Sequence, residues 1–459
     1  MLQCHEADYC PPVPRPPQSR LGFVELLTRL RRNPLECWSA DFFRQPIVKL
    51  RLPFTDTFVV HDPRAIKRVL MDNSENYPKD TIQRRILSSG LSDGLLSVEG
   101  KRWEMQRRTL APTFAPRTVT SFTKPMLAAA NELAAKWTRM GSGATLDVAA
   151  EMTLVTLNVL ALTIFSDGIG SDIDEFRMAM NAYFGVIGRI GALDLLGVPK
   201  FVPRPGHRRL RATMTYFEAV IDRIIDTRSR GHASPPNDLL TLLLRSPDPS
   251  TGRQLGLKEI RSNILTFLSA GHETTANTLA WSIFLLSQSA EWRSRVVTEA
   301  ARELANPDDE LAARLTVTRA VIEEALRLYP PIAALSRMAR EADRLGDLMV
   351  GPGALIVIAP YVLHRHRELW DRPDAFDPSR FLPEARGAIP RFAYLPFGVG
   401  PRTCIGASFA LQEATIVLAT LMRDFEMRLL PHADVQPLQR ITLRPAHGLP
   451  MTISRRSAP

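Results

Sequence analysis

Apolar and polar positions divide the chain into three kinds of stretch. From Leu35 to Val60 the apolar runs are short, as in Ile47–Leu50 and Thr57–Val60, and predict strands of a small sheet. From about Arg102 to Leu328 the pattern is that of long helices. Ser234-Pro235-Pro236-Asn237 interrupts it, with Asn237 or Asp238 placed to cap the helix that follows. After Pro330 the chain reads as extended again, notably over Ala354–Pro360. A Pro- and Arg-rich irregular stretch, Asp371–Pro396, leads into a Gly-rich loop and one more helix, roughly Ala407–Phe425. Pro11–Pro17 reads as a stiff extended segment. The expected fold is mainly α with small β-sheets. No repeat or linker divides it, so residues 1–459 are expected to form one domain, with 1–20 as a lead-in.

Composition narrows the classes. The chain has 459 residues, 45% hydrophobic, enough for a large core. Its 58 Lys and Arg against 48 Asp and Glu give a formal charge of +10, spread without a run of like charges. An acidic protein partner fits such a balance. Nucleic acid does not, because no binding motif accompanies the charge. Cys4, Cys10, Cys37 and Cys404 suggest no disulfide framework, and nothing assigns a role to the first three. The N-terminus lacks an apolar secretory core, and no uninterrupted apolar run reaches the roughly 18 residues of a membrane span. A cytoplasmic location is expected.

Candidate chemistry concentrates in Phe397-Gly398-Val399-Gly400-Pro401-Arg402-Thr403-Cys404-Ile405-Gly406. An iron that activates oxygen through a thiolate needs one cysteine held anionic, with backbone N–H groups aimed at the sulfur. A Gly-rich turn entering a helix N-terminus supplies those donors and a favourable dipole. Gly398 and Gly400 permit tight turns. Gly406 leaves room for a flat macrocycle, and Arg402 can reach a propionate. For the cysteine alone, a buried structural thiol is the competing reading. The whole segment, however, matches Phe-x-x-Gly-x-Arg-x-Cys-x-Gly at every fixed position, and the chain resembles the cytochrome P450 family.

A second segment, Ala270-Gly271-His272-Glu273-Thr274-Thr275, is centred in a helical pattern over about Leu257–Gln288. Its glycine and paired threonines predict a helix that opens locally. His272-Glu273 begins like a zinc-binding HExxH, but Ala276 stands where the second histidine belongs. The segment is similar to the family's Ala-Gly-x-Asp/Glu-Thr-Thr signature. That resemblance implies that Ala270 and Gly271 line the oxygen pocket, that Thr274 hydrogen-bonds the oxygen, and that Glu273 relays protons through water.

Glu324-x-x-Arg327, with its two charges within pairing distance on one helix face, lies about 80 residues before Cys404. Together with Arg380 in Phe376-Asp377-Pro378-Ser379-Arg380-Phe381, it resembles the family's Glu-Arg-Arg charge network, although Ser379 stands where Glu is common. Trp103-x-x-x-Arg107 and Arg337 resemble the family's propionate-binding positions. His364 reads as structural.

The resemblance covers nearly the whole chain. It implies noncovalent haem b (iron protoporphyrin IX) on Cys404, held with Phe397, Gly398, Arg402 and Gly406. It also implies hydroxylation of an apolar substrate with dioxygen and two electrons. The stretch after the last helix is too short for a fused flavin or iron–sulfur domain, so a ferredoxin or similar acidic donor with its reductase is expected, docking on a positive face around Arg402. A haem-thiolate peroxygenase or isomerase, or a non-catalytic haem sensor, are the alternatives. The family's pocket segments correspond to Tyr77–Ser97, Phe184–Leu196, Ile264–Phe267 and Ile332–Leu335. Their apolar character favours a terpenoid, fatty acid or steroid. Arg84 and Arg85 read more readily as surface residues than as partners for a substrate carboxylate.

Overall fold

The computed structural model describes residues 9–52, 55–80, 93–166, 178–179, 207–230, 236 and 238–456. Its principal helices are α1 (Phe23–Arg32), α2 (Gly100–Leu110), α3 (Thr123–Met140), α4 (Val148–Phe165), α5 (His207–Arg230), α6 (Leu257–Gln288), α7 (Ala290–Glu303), α8 (Thr316–Leu328) and α9 (Ala407–Asp424). The strands are β1 (Ile47–Leu52), β2 (Thr55–Val60), β3 (Ala144–Asp147), β4 (Leu335–Met338), β5 (Asp343–Leu345), β6 (Leu348–Val350), β7 (Leu355–Ile358), β8 (Phe425–Leu429), β9 (Pro437–Gln439), β10 (Leu443–Pro445) and β11 (Pro450–Arg455). A four-stranded sheet runs β1-β2-β7-β4, with only the β2–β7 pair parallel among its contacts. A second sheet runs β3-β11-β8, and β9 with β10 and β5 with β6 form hairpins. The fold is mainly α with small sheets, as expected.

Helix α6 crosses the core. Its first turn is capped by Glu259, whose carboxylate accepts from the Gly256 N–H at 3.0 Å, satisfying a donor the helix leaves open. Further along, Trp281 stacks flat on Tyr329 with centroids 3.9 Å apart. Helix α4 packs alongside it: Thr156 Oγ1 donates to the His272 carbonyl at 3.1 Å. A Cβ added to Gly271 would sit 3.2 Å from Leu160 Cδ1, so the glycine permits close approach of the two helices. α4 is long and apolar enough to span a membrane by length and composition, but much of it is buried in this interface. Asp147 caps α4 through the Ala149 N–H at 3.0 Å and also accepts from the Leu449 N–H at 2.8 Å, tying it to the approach of β11.

Chain-distant contacts fix the ends. The Asn33 side-chain amide donates to the Pro437 carbonyl at 2.9 Å and its oxygen accepts from the Gln439 N–H at 3.1 Å, holding the β9–β10 hairpin. Tyr329 donates to the Pro12 carbonyl at 2.8 Å, and the Phe376 N–H donates to the Tyr9 carbonyl at 2.9 Å.

Several expectations are corrected. Part of the stretch taken as extended from Leu35 forms single 3-10 turns, Pro34–Cys37 and Ala40–Phe43. Helix α1 and the strands after α9 were not anticipated. Helix α6 does not open: it is unbroken through 270–275, with the Thr274 hydroxyl bonded to the Ala270 carbonyl at 2.7 Å and α4 packed against His272 and Gly271. Cys10 is disulfide-bonded, to a partner outside the described residues, whereas Cys37 and Cys404 are free. That removes one ground for a reducing compartment. Asp238, not Asn237, is seen capping its helix, accepting from the Thr241 N–H at 2.8 Å. Asn237 lies outside the described residues, as do Arg84, Arg85 and Phe184–Leu196.

Candidate active site

The cysteine loop folds as its glycines require. Gly398 and Gly400 have φ of 69° and 79°, conformations that L side chains rarely adopt. At Gly400 a Cβ would also fall 1.9 Å from the Leu70 carbonyl oxygen. The Cys404 N–H donates to the Phe397 carbonyl at 2.8 Å and the Thr403 N–H to Gly400 at 3.0 Å, closing the loop. Cys404 then enters α9 through Gly406, whose N–H donates to the sulfur. Burial pushes the thiol up from its ordinary value, while the Gly406 N–H and the Arg107 guanidinium oppose that shift. Although the sulfur has accessible surface, that surface belongs to an interior cavity of about 470 Å³.

Cations gather along the cavity. Trp103, Arg107, Arg337 and Arg402 all line it, as does Lys79, which the sequence did not single out. Arg402 lies over the Trp103 ring at 4.3 Å and pairs with Glu99. Its side chain faces the cavity and is partly exposed. Burial pulls Lys79 down to about 8, with Arg402 and Arg337 adding repulsion and Glu99, at 3.6 Å, opposing it. Arg337 is pulled down to about 10, by burial first and Arg402 next. One Arg402 nitrogen is buried without a hydrogen-bond partner.

Crowded cations of this kind call for a buried anion. A flat macrocycle with two carboxylates meets that need: nothing lies within 4 Å of a Cβ built at Gly398 or Gly406, and the free thiol supplies a soft ligand. The residues fit a thiolate-held haem. Cys404 would bind its iron, while Arg107, Arg337, Arg402 and Lys79 would hold its propionates.

Glu324 and Arg327 form a fully buried bidentate pair at 2.6 and 2.7 Å. Arg327 also donates to the carbonyls of His364 at 2.9 Å, Pro373 at 2.7 Å and Ala375 at 2.9 Å. Arg380 is a looser third member, 3.8 Å from Glu324, and donates instead to the Arg372 carbonyl at 3.0 Å. The second Glu324 contact is the Asp377 N–H at 2.8 Å. His364 lies in the turn after Pro360–Leu363 rather than in a strand. Its Nε2 accepts from the Leu395 N–H at 2.8 Å, two residues before the cysteine loop begins, so it joins the charge pair to that loop.

Ala270, Gly271, Glu273 and Thr274 line the same cavity from α6. Burial raises the Glu273 carboxyl, and a 2.7 Å hydrogen bond from Thr442 and the charge of Arg444 work against it. Thr442 too was missed, lying in a late hairpin with no motif of its own. His272 points elsewhere, its Nδ1 2.8 Å from the Leu268 carbonyl, and no metal cluster occurs among the described residues. Most of the remaining lining is apolar, including Leu96, Phe114, Leu239, Phe267, Ile332 and Ile441, with Thr266, Ser269, Thr275 and Thr278 among it. Phe114 and Phe267 meet edge to face at 4.9 Å.

Against known proteins, residues 11–449 match the cytochrome P450 family description. The chain belongs to the cytochrome P450 family. This P450 is 30% identical to cyclooctatin synthase of Streptomyces melanosporofaciens, each chain being 90% covered. It is 33% identical to cyclooctat-9-en-7-ol 5-monooxygenase of the same organism, at 89% of each chain. Pentalenene oxygenase of Streptomyces avermitilis is 29% identical over 94% of each. The crystal structure of the cytochrome P450DA heme domain superposes with a TM-score of 0.83 at 26% identity, covering 98% of both chains. The protein is a haem-thiolate monooxygenase that uses dioxygen and an electron donor.

Proposed function

We propose that this P450 hydroxylates a terpenoid in the cytoplasm, with Cys404 as the iron ligand and electrons delivered by a ferredoxin. One observation carries the reading: a free thiol, a cation cluster and the Glu273–Thr274 pair share one cavity whose other lining is mostly apolar. Relatives named for pentalenene and cyclooctat-9-en-7-ol favour the terpenoid among the three substrate classes.

When bound, the haem supplies oxygen activation driven by thiolate donation. The chain's own residues do the rest. Gly406 and Arg107 work against the burial that favours the neutral thiol of Cys404, and so favour the anionic sulfur that the iron would bind. Trp103, Arg107, Arg337 and Arg402 fix the propionates, with Lys79 beside them. Burial raises the Glu273 carboxyl, which suits it to pass a proton, and Thr274 presents its hydroxyl at the cavity. Phe114, Phe267 and Leu96 orient a hydrocarbon and exclude water, which is the protein's share of such catalysis. The charge network of Glu324, Arg327 and Arg380 locks the irregular stretch that precedes the cysteine loop.

With Arg402 facing the cavity and only partly exposed, the docking cations for an acidic donor are better sought at exposed positions of α2, such as Lys101 and Arg102. Activity with a ferredoxin system should then fall as salt rises. The decisive experiment is a reduced carbon monoxide difference spectrum followed by spin-state titration with cyclic terpenes and with fatty acids. A Soret band at the thiolate position and a shift with terpenes are expected. A shift with fatty acids alone would overturn the substrate class.

A further inference from the structure

The carboxyl of Glu273 does not stand free in the cavity. Thr442 Oγ1 donates to Glu273 Oε1 at 2.7 Å, and Asn277 Nδ2 donates to Thr442 Oγ1 at 3.1 Å. The chain of donors runs one way, so Thr442 must spend its only proton on Glu273. Both Thr442 and Asn277 are buried. Asn277 lies one helical turn beyond Glu273 on unbroken α6 and moves only with it. Thr442 sits elsewhere, in the turn joining β9 to β10.

That turn also lines the cavity. Ile441 and Thr442 contribute to its wall beside Pro331 and Ile332. The hairpin is fastened behind the tip, by the Leu443 N–H to the Pro331 carbonyl at 2.9 Å and by Trp281 Nε1 to the Leu443 carbonyl at 3.3 Å. Within the turn the Arg440 N–H donates to the Thr442 carbonyl at 3.0 Å, and Ile441, next to Thr442 in the chain, offers a ligand in the cavity an apolar contact there.

We propose that Thr442 is a positioning residue that latches the Glu273 carboxyl in its unprotonated form, and that a substrate packing on Ile441 loosens the latch and lets Glu273 take up the proton it relays. In the freed state hydronium from solvent protonates the Glu273 oxygen that Thr442 has left, and the Oε–H bond then breaks as the proton passes to a water on the Thr274 side of the cavity. No electron changes place at Glu273. The inference rests on Glu273 acting as the proton relay. It adds to that reading a reason for proton delivery to wait for substrate: early delivery would divert electrons into peroxide. A ligand-driven change of this sort requires the ligand to contact the two states differently, and Ile441 provides that contact.

The test uses the holoenzyme with Thr442→Val, which keeps the shape and removes the donor, Thr442→Ser, which restores it, and Glu273→Gln. The carboxyl infrared band absent from Glu273→Gln identifies Glu273 without reference to turnover. In the wild type, adding a substrate selected by its spin-state shift should move this band. In Thr442→Val the band should already lie at the substrate-bound position and no longer respond. Electron consumption in the absence of substrate should rise roughly 2- to 10-fold in Thr442→Val, the population change one hydrogen bond is worth, and fall back in Thr442→Ser. A wild-type band and wild-type electron consumption without substrate in Thr442→Val, with Glu273→Gln impaired, would overturn the latch alone. Full coupled turnover in Glu273→Gln would overturn the relay reading beneath it.

Discussion

The two walls of the cavity are built on different principles. Behind the cysteine loop lies a dense polar centre: Arg327 makes five hydrogen bonds to Glu324 and three carbonyls, and His364 ties that centre to Leu395. The α6 side is largely apolar, shaped by Phe267, Phe114 and Leu96, with polar groups at Glu273, Ser269, Thr442 and the threonines of α6. A buried polar network has essentially one arrangement that satisfies it, whereas an apolar wall tolerates exchange of equal volumes. The first kind of wall holds a cofactor in one geometry. The second can be reshaped around new substrates without losing the fold.

Substitutions on either side can break that division or sharpen it. Cys404→Ser should abolish turnover and move the reduced carbon monoxide Soret band off the thiolate position. Retention of either would remove the basis of the assignment. Arg327→Ala strands Glu324 in the core and should cost about 3–5 kcal/mol, read as a lower Tm and poor haem retention. Arg380→Ala should cost clearly less, because Arg380 makes no hydrogen bond to Glu324 and stands 3.8 Å away. Glu273→Gln should lower coupled turnover by about 100-fold or more, the scale of lost general acid catalysis, with Tm nearly unchanged. On the apolar wall, Phe267→Ala should cost about 3–5 kcal/mol at most and redistribute products while Cys404 ligation persists. If it shed haem as readily as Arg327→Ala, the two walls would not be separable. Gly271→Ala should be the mildest. Its Cβ meets Leu160 at 3.2 Å, a tight contact set against about 1 kcal/mol of helix propensity, so Tm should barely move.

The same division explains what could be read from the residues alone. Cys404, Arg402, Glu324 and Arg327 belong to constellations whose spacing is dictated by one chemical task, so the spacing is visible in the chain. Helix α6 was legible to its ends because its apolar pattern is long. Its local opening was predicted from propensity and did not occur, since α4 packs against the segment at His272 and Gly271. Lys79, inside the pocket segment Tyr77–Ser97, and Thr442 were not singled out, because a lone Lys or Thr carries no spacing. The pairing of Arg402 with Glu99 is a tertiary contact that no spacing shows. The strands after α9 were missed because β9 and β10 span three residues each and β11 draws its pairing from a distant partner, β3.

Asn33 has a consequence for how the molecule is made. Its side chain clasps Pro437 and Gln439, so an early residue waits for the hairpin that completes the active-site wall. A chain still emerging from the ribosome has its thiol loop before it has that wall. The wall that Ile441 and Thr442 give the cavity is therefore complete only once an early residue and a late hairpin have met.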